Sequence, residues 1–227
     1  MSVQTGTLPP DGVRLMFDRI APVYDLMNRV MTAGLDGRWR RAAAAAVVRP
    51  GDRVLDACCG TGDLALAAQR AGGVVTGVDF SERMLERARR KAPELAWVEG
   101  DLLRLPFGDA SFEAATVGFG IRNVPDLERA LAELRRVLAP AGRLAILELT
   151  QPSGPFAFFY RLWFDRVVPR LGRLLGEDSA YSYLPASVRR FPSAPTLAEL
   201  LAASGFRDVR FRLFAGGIVA LHTGSAA

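Results

Sequence analysis

One histidine, one lysine and two adjacent cysteines are all this chain offers of three residue types on which protein sites are often built. Cys58 and Cys59 are neighbours, a spacing that strains a disulfide, so no disulfide framework is expected. Two thiols and His222 do not make up a metal site, and no metal is expected. No apolar run approaches the ~20 residues of a membrane span. Residues 1–10 lack the basic stretch followed by an apolar core that marks a secretory signal. These absences point to a cytoplasmic protein. The formal net charge of +5 is carried almost entirely by arginine, with Lys91 the only lysine. Its short basic groups (Arg38, Arg40, Arg41; Arg87, Arg89, Arg90, Lys91) fall on expected helices, the second interleaved with Glu82 and Glu86, and read as solvated faces, not as a nucleic-acid footprint. Half the residues are hydrophobic, enough for a full core in a 227-residue chain, which is read as a single domain.

The informative stretch is Val54-Leu55-Asp56-Ala57-Cys58-Cys59-Gly60-Thr61-Gly62-Asp63-Leu64-Ala65. The run from Arg53 to Ala57 reads as a buried strand, followed by a glycine turn and a helix from Asp63 to Arg70. Open α/β sheets receive nucleotide-like cofactors at such a strand–turn–helix. Gly60 and Gly62 permit the sharp turn and a close ligand approach. The loop alone permits two cofactors. Gly60-x-Gly62-x-x-Ala65 fits the loose dinucleotide fingerprint. Asp63, however, stands where a dinucleotide would place its pyrophosphate. S-adenosylmethionine has no phosphate and carries an ammonium and a sulfonium, so Asp56 and Asp63 around the turn suit it better.

Two more acids follow at strand ends. The run from Val74 ends in Asp79, where a carboxylate can accept from both ribose hydroxyls in either kind of enzyme. The run from Leu95 ends in Asp101, which can accept from an adenine amino group, with Leu102 offering a backbone N–H and an apolar contact. Each acid taken singly reads as a turn or helix cap; three acid-tipped strands in succession, each followed by a helix, point to a cofactor edge. The alternation continues with a strand from Phe112 to Gly120, a helix from Asp126 to Leu138 ended by Pro140 and Gly142, and a strand from Arg143 to Thr150. Residues 151–195 break the pattern. A helix from Leu197 to Ala203 and two tightly joined strands, Val209 to Phe214 and Gly217 to His222, close the chain. The expected fold is an α/β, doubly wound, mainly parallel seven-stranded sheet with an antiparallel last strand, an N-terminal helical lid over 1–48 and a helical insertion over 151–195.

Four residue groups extend this reading. They are Phe17-Asp18-x-Ile20-Ala21-x-x-Tyr24-Asp25-x-Met27-Asn28 with Trp39; Cys59-Gly60-Thr61-Gly62-Asp63 with Gly77-x-Asp79-Phe80-Ser81; Phe119-Gly120-Ile121-Arg122-Asn123-Val124; and Tyr181-x-Tyr183-Leu184-Pro185-x-Ser187-Val188, Phe191-Pro192 and Gly216 to His222. With them the chain resembles the menaquinone/ubiquinone-biosynthesis C-methyltransferase family from residue 17 to 222. It departs from the family pattern at Thr32 and Asp36, at Ala139 and Ala141, and at Gly118, where a serine is common near the cofactor.

The resemblance implies methyl transfer from S-adenosylmethionine to a ring carbon of a prenylated naphthoquinol, with a ubiquinone precursor or another lipid-like small molecule as the alternative substrate. It implies cofactor contacts from Asp56, Gly60, Thr61, Gly62, Asp79, Phe80, Asp101, Leu102, Gly118 and Tyr24. Arg122 and Asn123, just beyond the fourth strand, are the expected catalytic residues: Arg122 to stabilise a phenolate, Asn123 to orient a quinol oxygen. The alternative for the pair is an ion pair and a helix cap. No general base stands out. His222 reads as a core histidine, and Tyr24, Asp25 and Asn28 read as lid or cofactor contacts. Within the insertion, Phe156, Phe159, Tyr160, Trp163 and Val167 form one apolar helical face with arginines nearby. That face is expected to cover the prenyl tail and to touch the membrane surface, with core packing as the alternative.

Overall fold

The computed structural model describes residues 9–152 and 178–227, with the side chains of Pro10 and residues 178–182 excepted. The aromatic stripe expected between Phe156 and Val167 lies outside the described residues.

Seven strands form one sheet: β1 (Arg53–Ala57), β2 (Val74–Asp79), β3 (Ala96–Glu99), β4 (Phe112–Gly118), β5 (Leu138–Leu149), β6 (Phe206–Phe214) and β7 (Val219–Ala226), in the order β3-β2-β1-β4-β5-β7-β6. β1 to β5 pair in parallel, and β7 runs antiparallel between β5 and β6. Parallel pairing follows from the helical crossovers between strands, and the closing antiparallel pair from the short turn joining β6 to β7. The order reverses between β1 and β4, so a crevice opens beyond the carboxyl ends of these two strands.

β1 is buried on both sides from Val54 to Ala57, which is why its residues show no apolar–polar alternation. Leu55 and Ala57 pack into a core with α6 (Leu127–Val137) and α8 (Ala194–Ala203). Val54 packs into the opposite core with α3 (Asp36–Val47) and α4 (Asp63–Arg70). Ser81 caps α5 (Glu82–Lys91) by accepting from the Met84 N–H, and Asp126 caps α6 by accepting from the Arg129 N–H. A third core joins α1 (Pro10–Ile20) and α2 (Tyr24–Met31) to α5 and to α7 (Asp178–Arg190), through Val13, Met16, Ile20, Met27, Met84, Leu184 and Val188. The N-terminal segment therefore divides. α3 belongs to the layer covering the sheet, with Trp39, Ala43, Ala44 and Val47 buried, whereas α1 and α2 share their core with α5 and α7.

Several boundaries differ from the sequence expectation. β3 ends at Glu99, not Asp101: the Gly100 N–H turns to the Asp79 carbonyl, and the Asp101 carboxylate accepts from the Leu103 N–H, an Asx turn that closes the strand. β4 ends at Gly118 because Phe119 adopts a positive φ of 58°. β5 begins at Leu138, directly after α6, and passes Pro140 and Gly142 through a register shift against β4. β7 extends to Ala226.

Candidate active site

A cavity of about 520 Å³ occupies the crevice beyond β1, β2 and β4, within the ~300–1,000 Å³ usual for small-molecule sites. Gly60, Asp79, Phe80, Asp101, Leu102 and Gly118 line it, together with Tyr24 from α2. So do Asp11, Arg14 and Phe17 of α1, Cys58, and Asn123. With Glu99, which also lines it, four acids stand against one arginine and make the walls net acidic, and that arginine is neutralised, because Arg14 donates to Glu99 at 2.5 Å. The wall suits a cation and opposes a diphosphate.

Asp79 organises the glycine turn. Its Oδ2 accepts from the Gly60 N–H at 2.8 Å and its Oδ1 from the Ser81 N–H at 2.9 Å. Burial pushes its carboxyl up to about 6 against these bonds. The Asn123 Oδ1 is buried with no hydrogen-bond partner among the described residues, an acceptor on the cavity wall left open to a donor. Asn123 does not cap α6, since Asp126 does so. Cys58 also faces the cavity, but burial pushes its thiol well up, so it stays a protonated wall group.

Three expected cofactor contacts do not line this cavity. Asp56 lies fully buried in β1, where its Oδ1 accepts from the Thr116 hydroxyl at 2.7 Å and burial pushes the carboxyl up to about 7. Gly62 packs against Trp97 instead: at φ +87° it adopts a left-handed conformation, and a Cβ there would come 2.5 Å from the indole. Thr61 donates to Asp25 at 2.5 Å and accepts from Lys91 at 3.2 Å. Lys91 also bridges Asp25 at 2.8 Å and Asp63 at 2.6 Å. The Asp63 charge, from which the sequence argued against a diphosphate, is thus compensated, and the acidic wall of the cavity itself carries that argument. Asp25 tethers α2 to the glycine turn.

A second cavity, about 360 Å³, adjoins the first; Phe17, Tyr24 and Phe119 line both. Its lining is mainly apolar, from Met16, Ile20, Met31, Leu35, Leu149 and Ile218, with Asn28 and Arg122 among the polar exceptions. Arg122, expected beside Asn123, lies here instead. Consecutive residues on the short helical turn Ile121–Asn123 face different cavities. Arg122 is buried, donates to the Phe119 carbonyl and pairs with Glu148 at 2.7 Å. Burial alone would lower its pKa; Glu148 outweighs that and holds it above the usual value. The ion pair weighed as the alternative is present, yet the Arg122 Nε has no partner among the described residues. His222 lines neither cavity. It is buried, its Nε2 lies 2.8 Å from the Ala194 carbonyl, and burial lowers its pKa.

Sequence reasoning misses Lys91 and Glu148. Lys91 falls within a basic face that reads as solvated, although a lone lysine among arginines is a signal. Glu148 is an acid inside the apolar strand Leu144 to Leu149, and a buried charge there needs a partner.

The family model of the ubiE/COQ5 methyltransferase family matches residues 6–226. The demethylmenaquinone methyltransferase of Thermus thermophilus is 49% identical over 218 residues, covering 92% of this chain and 99% of its own. The ubiquinone/menaquinone biosynthesis C-methyltransferase UbiE of Syntrophotalea carbinolica is 44% identical over 227 residues, covering 95% and 94%. Among solved structures, a SAM-dependent methyltransferase of Thermotoga maritima, a possible histamine N-methyltransferase, aligns with TM-score 0.66 at 22% identity over 94% of this chain and 99% of its own. The [4+2]-cyclase SpnF aligns with TM-score 0.74 at 18% identity over 100% and 99%. A methyltransferase and a cyclase on one scaffold leave the reaction to be argued from the site. The sequence match is of another order, and on it this chain belongs to the ubiE/COQ5 methyltransferase family.

Proposed function

We propose that this chain transfers a methyl group from S-adenosylmethionine to a ring carbon of a prenylated quinol, with demethylmenaquinol as the substrate and menaquinol as the product. The observation that carries this is the pair of adjoining cavities, one acid-walled and one apolar, meeting at Phe17, Tyr24 and Phe119. The cofactor supplies an electrophilic methyl group on a sulfonium. Asp79 would hold its ribose, Asp101 and Leu102 its adenine, and the Asn123 Oδ1 would accept from one of its donors. Asp56, Thr61, Gly62 and Asp63 act one step removed, by shaping the turn.

The apolar cavity would take the quinol ring. A ring carbon is a weak nucleophile until a neighbouring hydroxyl loses its proton, and the charge that develops needs a preorganised donor. Arg122 supports that role: it is buried, held in one orientation by Glu148 and the Phe119 carbonyl, and keeps Nε available. Tyr24, between the cavities, would keep ring and methyl donor in line and exclude water. The tail would leave the apolar cavity toward a membrane surface. No described helix is long and apolar enough to cross a membrane, so the contact proposed is peripheral.

The test is the quinone pool of a strain lacking this chain. Accumulated demethylmenaquinone that disappears on complementation supports the reading. Accumulation of a demethylated ubiquinone precursor alone would move the substrate to a benzoquinol. An unchanged pool would overturn the proposal.

A further inference from the structure

We infer that the corner between α2 and α3 is the face that seats this protein on an anionic lipid surface. The inference rests on the reading of the second cavity as the quinol site. Leu26 is 59% exposed, Val30 50% and Leu35 39%, three of the seven large apolar side chains exposed among the described residues. Leu26 and Val30 stand one turn apart on α2, and Leu35 precedes α3. The corner is tightly made. The Gly34 N–H donates to the Arg29 carbonyl at 2.8 Å, the Leu35 N–H to the Thr32 carbonyl at 3.0 Å and the Arg38 N–H to the Leu35 carbonyl at 2.9 Å. The apolar groups are thus presented by fixed backbone.

Charge and continuity identify the occupant. Arg29, Arg38 and Arg41 are exposed at the same corner and carry no ion pair among the described residues. No acid between Leu26 and Arg41 is exposed: Asp36 is turned inward, accepting from Thr32 at 3.1 Å and pairing with Arg40. An apolar patch ringed by arginine without acids fits acyl chains beneath anionic headgroups. The patch also continues into the second cavity, since Ala33 and Leu35 are both exposed and cavity-lining. A prenyl tail leaving the cavity between them would enter the lipid directly. The corner is a membrane-facing element separate from the aromatic stripe expected at Phe156 to Val167, which lies outside the described residues.

The experiment is flotation of the whole protein, without substrate, on phosphatidylglycerol–phosphatidylcholine vesicles and on phosphatidylcholine vesicles. Binding should require phosphatidylglycerol and weaken as salt is raised. The variant Leu26→Ser/Val30→Ser should bind on the order of tenfold more weakly. The variant Arg38→Gln/Arg41→Gln should lose roughly fivefold per arginine. Neither pair lines a cavity, so melting temperature, S-adenosylmethionine affinity and turnover of a short-tailed quinol in solution should hold, while the Michaelis constant for a long-tailed quinol in vesicles rises. Unchanged vesicle binding in both variants would overturn the inference. So would self-association of the native chain that Leu26→Ser/Val30→Ser abolishes while vesicle binding persists, which would make the patch a contact between two copies. Failure of the quinol reading is distinguishable: vesicle binding through this corner without methylation of any quinol refutes the substrate and leaves the surface standing.

Discussion

The two cavities share a wall and differ in almost everything else. The first is built on the ends of successive parallel strands and the turns that follow them, and its polarity comes from carboxylates and backbone groups. The second is assembled from α1, α2, α3, the end of β5, α7 and the turn between β6 and β7, and its lining is mainly apolar around two buried arginines, Arg40 paired with Asp36 and Arg122 paired with Glu148. A strand-edge cavity is positioned by the sheet ladder, so its geometry survives changes elsewhere. A cavity between helices depends on how those helices dock, and its buried cations need partners. The first therefore suits a cofactor common to many enzymes, and the second suits discrimination among substrates.

The sharpest way to break that comparison is to remove the buried charge of Arg122 from the second cavity without stranding its partner. Arg122→Ala alone would leave Glu148 buried and unpaired, costing about 3–5 kcal/mol of stability. Arg122→Gln with Glu148→Gln removes both charges and should remain folded. Its turnover of a quinol analogue should fall by a factor on the order of 10²–10³, with S-adenosylmethionine affinity nearly unchanged. Single-turnover kinetics beside calorimetry checks this. Turnover near the native rate would make the pair structural.

Next in size is Asp79→Ala, which acts on the first cavity. It removes the acceptor of the Gly60 and Ser81 N–H groups as well as the proposed ribose contacts. At ~1.5–3 kcal/mol for each hydrogen bond to a charged group, cofactor affinity should drop about 100-fold or more. Calorimetry on a variant that still melts cooperatively is the measurement, and an unchanged affinity would refute the assignment.

A smaller effect lies beneath the first cavity. Asp56, ordinarily near 3.8, is pushed up to about 7 by burial, and Asp79 to about 6. Both hold their protons more tightly folded than unfolded. The folded state therefore binds more protons across the window from the ordinary value to the raised one, and these two groups lower stability as pH rises through it. Asp56→Asn should remove its share, so the melting temperature of the variant, measured without cofactor, should gain on the native protein between pH 4 and pH 7. Parallel pH profiles for the two proteins would refute this.

The smallest effect is expected at Lys91, which bridges Asp25 of α2 and Asp63 of α4 with all three side chains about a third exposed. Solvent screens such pairs, so Lys91→Met should cost about 0–1 kcal/mol of stability. Because it loosens α2 from the glycine turn, cofactor affinity should weaken a few-fold, by less than in Asp79→Ala. A loss equal to that of Asp79→Ala would mean that the tether, not the strand edge, builds the first cavity.

Much of the first cavity is legible in the sequence alone. Gly60, Asp79 and Leu102 follow strands whose apolar runs are local signals, and a parallel sheet brings consecutive strand ends to one edge by its own geometry. The mainly parallel pairing, the antiparallel last strand and the helix start at Asp126 follow from equally local causes. What only the tertiary structure decided is where side chains beyond those ends turn. Arg122 and Asn123 are consecutive, yet a single helical turn sends one to each cavity, and no spacing rule distinguishes them. Asp56 sits at a strand end like Asp79, but it packs under the turn against Thr116, not on the wall. The apolar cavity leaves no compact trace in the sequence, because its lining residues come from Met16 to Val219 and apolar ones such as Met16, Ile20 and Leu149 each read alone as core. A strand and its turn are specified by neighbours along the chain. A pocket between docked helices is specified by contacts between residues far apart in sequence, and those exist only once the chain has folded.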